Sequence, residues 1–298
     1  MTGVYRLLFA FVAIVALLAL PVLIKSPYHM SIAVSACAFV VLAVGLNLVY
    51  GYVGLLSLCQ VGFWGLSAYT VAVLTTRTGI SPWIAVLCGG MLATIASLVV
   101  GYAAVRVSRH SFAIVSLIFA LVLQQIAFDW TSVTRSAMGI PGLPPLAMTV
   151  PGFGSVTFDA DHRFYYVILA WALITVGTTW MLLRSRVGRA FVAIRENEPL
   201  AHSHGINVRR YKLVAFAYSA FVTGIAGGIF CLYLTIVDPS IFDFYYTEAM
   251  LIMVIVGGAG SFWPVVASAI LFSIVPELLR ISNELRLVVY GFVLISVM

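Results

Sequence analysis

Long apolar segments with almost no charge are the feature that most constrains this chain. Charged side chains make up 9% of its 298 residues, whereas soluble domains carry about 25%, and 63% of the residues are hydrophobic. A helix rises about 1.5 Å per residue and the hydrocarbon core of a bilayer is about 30 Å thick, so one crossing needs about 20 apolar residues. The sequence therefore predicts an all-α, polytopic integral membrane protein, folded as one helical bundle.

Several segments have the length and composition of membrane-spanning helices. They predict about 8–10 transmembrane helices in a single domain that covers residues 1–298. The candidate spans are residues 5–24, 30–50, 60–76, 82–105, 111–128, 164–183, 213–236, 248–275 and 286–298. The last of these is short for a crossing unless the natural chain continues beyond it.

The distribution of basic residues between the connecting loops predicts the orientation. With the N-terminus in the cytoplasm, alternating crossings leave Lys25, Arg77, Arg135 and Arg163 outside, and the other twelve of the 16 basic residues inside. Cytoplasmic loops of membrane proteins are enriched in Lys and Arg. We therefore expect a cytoplasmic N-terminus and a cytoplasmic position for the basic segment 184–212, which separates two of the spans.

The residue patterns of ATP-binding loops, metal sites and ion-driven carriers are not found in the sequence. A P-loop requires a Gly-Lys pair, and neither Lys25 nor Lys212 follows a glycine. On a helix, His202 and His204 would point about 200° apart and share no metal ion. Secondary carriers usually keep ionisable residues inside the membrane, and the predicted spans hold almost none at mid-depth. The sequence thus predicts no cofactor or metal site, and favours a transport chain that draws its energy from another protein.

Glycine interrupts two apolar segments, GLNLVYGYVGLLSLCQVGFWGLSAY at residues 45–69 and VIVGGAGSFWP at residues 254–264. Glycine inside a helix costs about 1 kcal/mol relative to alanine, so such clusters have a reason. One reason is close helix packing, and the other is an unwound stretch that lines a polar path. Both interpretations stay open. The candidate path residues are Asn47, Gly51, Gly54, Ser57, Gln60, Phe63, Gly65, Tyr69, Gly257, Gly258 and Gly260.

The basic segment, RSRVGRAFVAIRENEPLAHSHGINVRRYK, has the parts of a docking element. Pro199 suits the first turn of a short helix over LAHSH, and Gly205 suits the C-terminal cap of that helix. Asn207 then helps to turn the chain into the next span. The alternative is a solvated loop whose positive charge only retains it in the cytoplasm.

Four blocks resemble, in the same order, those of branched-chain amino acid ABC-transporter permeases. The blocks are GLNLVYGYVGLLSLCQVGFWGLSAYTVAVL, WTSVTRSAMGIPGLPP, GRAFVAIRENEPLAHSHGINVRRYKLVAFAYSAFVTGIAGGIF and VIVGGAGSFWPVV, and the resemblance runs from about residue 30 to 295. It implies a subunit of an importer in the bacterial inner membrane. The implied partners are a second, homologous permease, two cytoplasmic subunits that bind ATP, and a periplasmic solute-binding protein.

The resemblance also implies which residues of the basic segment couple to the ATP-binding subunits. The family's Ala-Ala-x-x-x-Gly docking core corresponds to Leu200, Ala201 and Gly205, with leucine in place of the first alanine. The implied coupling residues are Arg195, Glu196, Asn197, Glu198, Leu200, Ala201, Gly205 and Ile206. The implied solutes are branched-chain amino acids or related small amides and carboxylates. The alternative function is a self-sufficient secondary transporter or channel, while a membrane enzyme has no supporting residue set.

Overall fold

The fold comes from a computed structural model that describes residues 15, 17–21, 26–104, 109–150, 154–157 and 161–278. Most of these residues are helical. The helices are α1 Pro27–Leu46, α2 Gln60–Thr78, α3 Pro82–Ala104, α4 Arg109–Asp129, α5 Thr131–Thr134, α6 Asp161–Arg184, α7 Arg186–Glu196, α8 Glu198–Ser203, α9 Val208–Leu234, α10 Phe244–Val256 and α11 Phe262–Leu278. A π-helical segment, Asn47–Tyr52, continues α1, and short 3-10 helices occupy Ser136–Met138 and Pro239–Phe242.

The strands are short and form two separate antiparallel pairs. Strand β1, Ile140–Pro141, pairs with β4, Ile236–Val237, and β2, Ala147–Val150, pairs with β3, Gly154–Thr157. The first pair joins the loop after α4 to the loop after α9. Because the strands only tie loops together, the prediction of an all-α, polytopic helical bundle is confirmed.

Six helices in the described residues are long and apolar enough to cross a membrane. They are Pro27–Tyr52, Pro82–Ala103, Ser111–Asp129, His162–Arg184, Val208–Leu234 and Pro239–Val256. The predicted span 60–76 is helical, as α2, but does not belong to these six. The predicted span 286–298 and most of 5–24 lie outside the described residues, so these crossings stay predictions.

The glycine cluster in the candidate span 248–275 forms a break, which is one of the two alternatives that the sequence left open. The structure divides this span into α10 and α11, which are separated by residues 257–261. Gly258 has a φ of +82° and Gly260 a φ of +89°, a backbone conformation that does not continue a right-handed helix. In the sequence, the glycine cluster was the signal for this break.

Burial separates a central from a peripheral set of helices. Of the most apolar part of each span, 89% of the residues are buried in the first and 72% in α9, but only 28% in α4 and in α6. Helix α9 packs on α2 and α3, while α1 packs on α6 and α11. Helices α3 and α4 expose large apolar side chains, including Ile95, Val99 and Ile114. Apolar surfaces made of several such side chains face lipid or another protein.

Small residues bring α9 close to α3. A Cβ atom on Gly224 would lie 2.8 Å from the Cβ of Ala93 and 3.2 Å from the Cα of Gly90. Close approach through small residues is a usual way to pack helices in a membrane, where lipid competes with any apolar side chain. Gly62 of α2 serves the same purpose, since its Cβ would lie 3.4 Å from the Cα of Ala120.

Substituting Gly224 with leucine is expected to destabilise the fold by at least about 1–3 kcal/mol, the usual cost of forcing extra methylene groups into a packed interior. The measurement is unfolding of the purified chain in detergent. Gly177 of α6 provides the control, because a Cβ there would have nothing within 4 Å. Equal stability of Gly224→Leu and Gly177→Leu would contradict the close crossing of α9 and α3.

Candidate functional site

The basic segment folds into two short helices, α7 and α8, which meet at Asn197. The Ser185 hydroxyl caps α7 by accepting a hydrogen bond of 3.1 Å from the amide of Val187. The side-chain oxygen of Asn197 caps α8 by accepting 3.0 Å from the amide of Leu200. Pro199 lies in the first turn of α8, as predicted. A single residue therefore ends one helix and starts the next, which leaves little freedom between them.

Helix α8 ends in a Schellman motif centred on Gly205. The amide of Gly205 donates to the carbonyl of His202 at 3.0 Å, and the amide of Ile206 donates to the carbonyl of Ala201 at 3.1 Å. Gly205 has a φ of +82°, the left-handed conformation that this cap requires. The predicted short helix with a glycine cap is confirmed. Asn207 accepts 3.2 Å from the amide of Arg210 and caps α9, also as predicted.

The two sides of α8 have different surroundings. Ala201 is buried and belongs to an apolar cluster with Phe191, Ile194 and Val208. Leu200 leaves 55% of its surface exposed, and His202 and His204 are also exposed. A small buried residue thus seats the helix, while a large apolar side chain stays free on its outer surface.

An ion pair holds α8 to the start of α9. The Lys212 Nζ lies 2.7 Å from one Glu198 carboxylate oxygen and 2.8 Å from the other. Lys212 is only 4% exposed and Glu198 is 39% exposed. A buried ammonium group requires such a partner, so the pair fixes α8 on its base. Lys212 is a residue of the site that sequence reasoning did not select.

The exposed histidines of α8 do not form a metal centre with their neighbours. Within the described ranges, no three His, Cys, Asp or Glu side chains come together in a way that could hold a metal ion. His202 lies on α8 and His204 is the C-cap residue of that helix. Among the described residues, the side chains of His202 and His204 make no recognised hydrogen bond or ion pair.

The two glycine-interrupted segments contact each other, and we call this contact, between residues 47–54 and 257–261, the glycine junction. Helix α1 passes into the π-helical segment Asn47–Tyr52, and irregular backbone follows before α2. The Asn47 side chain bridges the two segments. Its Nδ2 donates to the Ser261 carbonyl at 3.0 Å, and its Oδ1 accepts from the Gly260 amide at 2.9 Å.

Glycine is required at the centre of this junction. A Cβ atom on Gly51 would overlap the Gly260 nitrogen and the Asn47 side-chain oxygen. A Cβ on Gly260 would lie 2.9 Å from the Gly51 carbonyl oxygen and would also overlap the Arg195 guanidinium. Two backbones that approach so closely leave no room for a side chain between them.

Arg195, in the last turn of α7, reaches this junction. Its Nη1 donates to the Gly51 carbonyl at 2.5 Å, and its Cγ lies 3.3 Å from the position of a Cβ on Gly54. Arg109, the first residue of α4, donates from Nη2 to the carbonyls of Ile194 at 3.2 Å and of Arg195 at 2.9 Å. The junction therefore meets both the end of α7 and the start of α4.

Arg109 and Ser261 were not among the residues selected from the sequence. The contacts of Arg109 with α7 span 85 and 86 residues, and no local pattern indicates such a pairing. The sequence carried one signal. A positive charge in the first turn of a helix is unfavourable beside the positive end of the helix dipole, so a cation at that position indicates a binding partner outside its own helix. Ser261 was hidden because its carbonyl, not its side chain, accepts the Asn47 bond.

Two other predicted path residues, Ser57 and Gln60, lie beside the junction in polar contacts of their own. Both are buried. Gln60 donates 2.7 Å to the Ser219 hydroxyl and accepts 3.3 Å from the Thr223 hydroxyl, while the Ser57 hydroxyl lies 3.2 Å from the Cys59 sulfur. The bonds of Gln60 link α2 to α9, and the Gln60 and Ser57 side chains are closed off from solvent in the single chain.

The remaining predicted path residues lie away from the junction. Phe63 packs on Phe216 with ring centroids 5.4 Å apart. Gly65 lies against the Phe242 ring, which also stacks on Tyr69 at 5.9 Å. The structure thus gathers Asn47, Gly51, Gly54, Gly258 and Gly260 into one place, with Gly257 alongside at the end of α10, and does not bring Phe63, Gly65 or Tyr69 there. Whether any of them lines a path stays a prediction.

Of the remaining predicted coupling residues, Glu196 is exposed at the end of α7 and Ile206 packs at the edge of the apolar cluster that holds Ala201. The set Arg195, Glu196, Asn197, Glu198, Leu200, Ala201, Gly205 and Ile206 is therefore contiguous in space. One end of the set contacts the glycine junction, and the other end is an exposed helix. Their coupling role stays a prediction.

Comparison with known proteins gives this arrangement a family. The family described as "Branched-chain amino acid transport system / permease component" matches residues 28–298. The high-affinity branched-chain amino acid transport system permease protein LivM of Escherichia coli (strain K12) is 31% identical over an alignment of 285 residues that covers 90% of this chain and 67% of that protein. LivM of Salmonella typhimurium is 30% identical, and the alignment covers the same fractions of the two chains.

A second group of relatives is more distant. The high-affinity branched-chain amino acid transport system permease protein LivH of Salmonella typhimurium is 24% identical over an alignment of 236 residues that covers 75% of each chain. The match over nearly the whole chain confirms the resemblance found in the sequence. The chain belongs to the family of permease components of branched-chain amino acid transport systems.

Proposed function

We propose that this chain is the permease subunit of a binding-protein-dependent ABC importer in the bacterial inner membrane. A second, homologous permease completes the translocation path, two cytoplasmic subunits bind and hydrolyse ATP, and a periplasmic protein delivers the solute. The solutes are branched-chain amino acids or related small amides and carboxylates. Similarity to both LivM and LivH supports a pair of homologous permeases, and the excess of basic residues in one set of loops supports a cytoplasmic N-terminus.

The observation that carries the proposal is the exposed helix α8 on a firmly held base. Leu200 is exposed, whereas the Asn197 cap, the Glu198–Lys212 ion pair and buried Ala201 hold the helix to the membrane-spanning part. A helix that receives a push from a partner must not move independently of the element that it drives. An apolar side chain on the outer surface of such a helix leaves water when a partner docks there, which favours docking.

The glycine-interrupted segments support a translocation role. Transporters commonly place broken helices at the solute path, where backbone groups released from the helix can bind a polar solute. Here both breaks meet at one junction, beside the buried Ser57 and Gln60. In the proposed cycle, a movement of the junction exposes these polar groups to the path that the chain forms with the second permease.

Uptake by reconstituted vesicles tests this function. We expect vesicles with this chain, its partner permease and the ATP-binding subunits to accumulate radiolabelled L-leucine only when ATP is enclosed and the solute-binding protein is present outside. A non-hydrolysable ATP analogue is expected to abolish accumulation. Leucine accumulation by this chain alone, without ATP, would instead establish the alternative, a self-sufficient secondary transporter or channel.

A further inference from the structure

We infer that Arg195 is a positioning residue that carries movement of helix α8 to the glycine junction. The inference rests on the proposed function, because it concerns how force from an ATP-binding partner would reach the broken helices. It adds a defined contact between the cytoplasmic segment and the membrane-spanning part. Its first support is position: Arg195 lies two residues before Asn197, so the side chain at the junction and the cap of α8 belong to one helix end.

The guanidinium of Arg195 occupies a place that only glycine leaves open. Its Nη1 donates to the Gly51 carbonyl, and it lies so close to Gly260 that a Cβ atom there would overlap it. It thus touches both halves of the junction at once. The Gly51 carbonyl belongs to the π-helical segment, and a buried carbonyl near a helix break needs a donor from elsewhere.

Arginine suits this place better than lysine. A guanidinium is planar and has five N–H donors in a fixed arrangement, so it can bond one segment while it packs flat on another. A lysine ammonium is a compact charge without a flat face. The Arg195 side chain is partly buried among backbone groups, and it donates its hydrogen bond to a carbonyl and not to a carboxylate. Shape and hydrogen bonding, more than net charge, therefore define the contact.

Arg109 fixes the same helix end from a third direction. Its bonds to the carbonyls of Ile194 and Arg195 satisfy groups that the end of α7 leaves without a helical partner. Positive charge is also favourable at the C-terminal end of a helix. Helix α4, helix α7 and the glycine junction therefore converge at Arg195, so α7 cannot shift without displacing the junction.

The junction keeps contacts of its own when Arg195 is absent. Asn47 still joins Gly260 to Ser261, and α7 is still capped and packed through buried Phe191 and Ile194. Loss of Arg195 is thus expected to separate α7 from the junction without unfolding either. In a working importer, that separation appears as ATP hydrolysis that no longer moves solute.

The test compares Arg195→Gln with Arg189→Gln in the complete reconstituted importer. Arg189 lies on the same helix and is exposed, so the control removes the same charge away from the junction. For Arg195→Gln, ATP hydrolysis is expected to continue while the L-leucine transported per ATP falls about tenfold. Arg195→Lys is expected to lie between wild type and Arg195→Gln, and it provides the same comparison if Arg195→Gln does not fold.

Hydrogen exchange provides a second readout that needs no partner. In the purified full chain in detergent, Arg195→Gln is expected to increase amide exchange in peptides that cover residues 47–58 and 257–261, whereas Arg189→Gln is not. Equal leucine-to-ATP ratios and equal exchange in the two variants would overturn the inference and leave the proposed function intact. A wild-type importer without ATP-dependent uptake would overturn the proposed function, and exchange would still decide whether Arg195 holds the junction.

Discussion

Gly260→Val is expected to destabilise the protein by about 4 kcal/mol, through crowding and backbone strain together. A Cβ atom at this position would overlap the Arg195 guanidinium and lie 2.9 Å from the Gly51 carbonyl oxygen. In addition, Gly260 has a φ of +89°, which a β-branched residue rarely adopts. Denaturant unfolding of the purified chain in detergent measures the loss.

Gly142→Val separates the two causes. Gly142 has a φ of +76°, but a Cβ there would have nothing within 4 Å. This control therefore carries the backbone strain without the crowding, and its expected loss of stability is about 1–2 kcal/mol. Equal losses for the two variants would show that the segments of the glycine junction do not approach each other as closely as the structure places them.

Leu200→Asp is expected to lower ATP-driven leucine uptake by at least about tenfold without changing the stability of the chain. Leu200 is exposed on α8, so an aspartate there stays in solvent when the chain is alone. In the proposed assembly, the carboxylate would be buried unpaired against the ATP-binding partner, and a loss of about 1.4 kcal/mol in docking is already tenfold. Uptake in vesicles and thermal unfolding in detergent measure the two effects separately.

The matched control for Leu200→Asp is Val192→Asp. Val192 is also an exposed apolar residue of the basic segment, but it lies on α7 and not on α8. It therefore receives the same charge without altering the proposed docking surface, and near-normal uptake is expected. If Val192→Asp lost uptake as strongly as Leu200→Asp, the added charge and not the docking surface would explain the loss.

The buried position of Ala201 changes how a docking test should be designed. The sequence alone makes Ala201 a natural site for a disruptive charge, because the resemblance assigns it to the docking core. In the structure, Ala201 packs inside the cluster with Phe191 and Ile194, so a charge there would disturb the folding of the segment before it disturbed any partner. Loss of uptake in such a variant would not distinguish the two causes, whereas Leu200→Asp does.

Local chemistry made part of the site predictable. The signals for α8 lie within a few residues of one another: Pro199 for its first turn, Gly205 for its cap and Asn207 for the start of α9. Each depends on backbone geometry that a single residue type favours, so the sequence was sufficient. The same reasoning marked both glycine clusters as exceptional, although it could not say which glycines pack and which lie in a break.

The sequence did not predict which glycines pack inside a helix and which lie in a break. Gly62 and Gly65 lie inside the continuous helix α2, where they pack against other parts of the protein. Gly51 and Gly260, in contrast, lie where the two breaks meet. All four are glycines in apolar surroundings, and hydropathy is the same for a helix that continues and for one that stops. For the cluster in the candidate span 248–275, packing and a break both stayed open, because the choice depended on a distant partner segment. Gly260 and Asn47, which bond across the junction, are 213 residues apart in the chain.

By itself, the sequence determined that the chain is a helical membrane protein, because apolar length and scarcity of charge are properties of each segment alone. It also determined the short capped helix of the basic segment and the resemblance to a permease family. Only the tertiary structure decided that Arg195, Arg109 and Asn47 converge on two glycine breaks. Their hydrogen bonds go largely to backbone carbonyls and amides, which are common to nearly all residues, so no pattern of side chains in the sequence indicates these contacts.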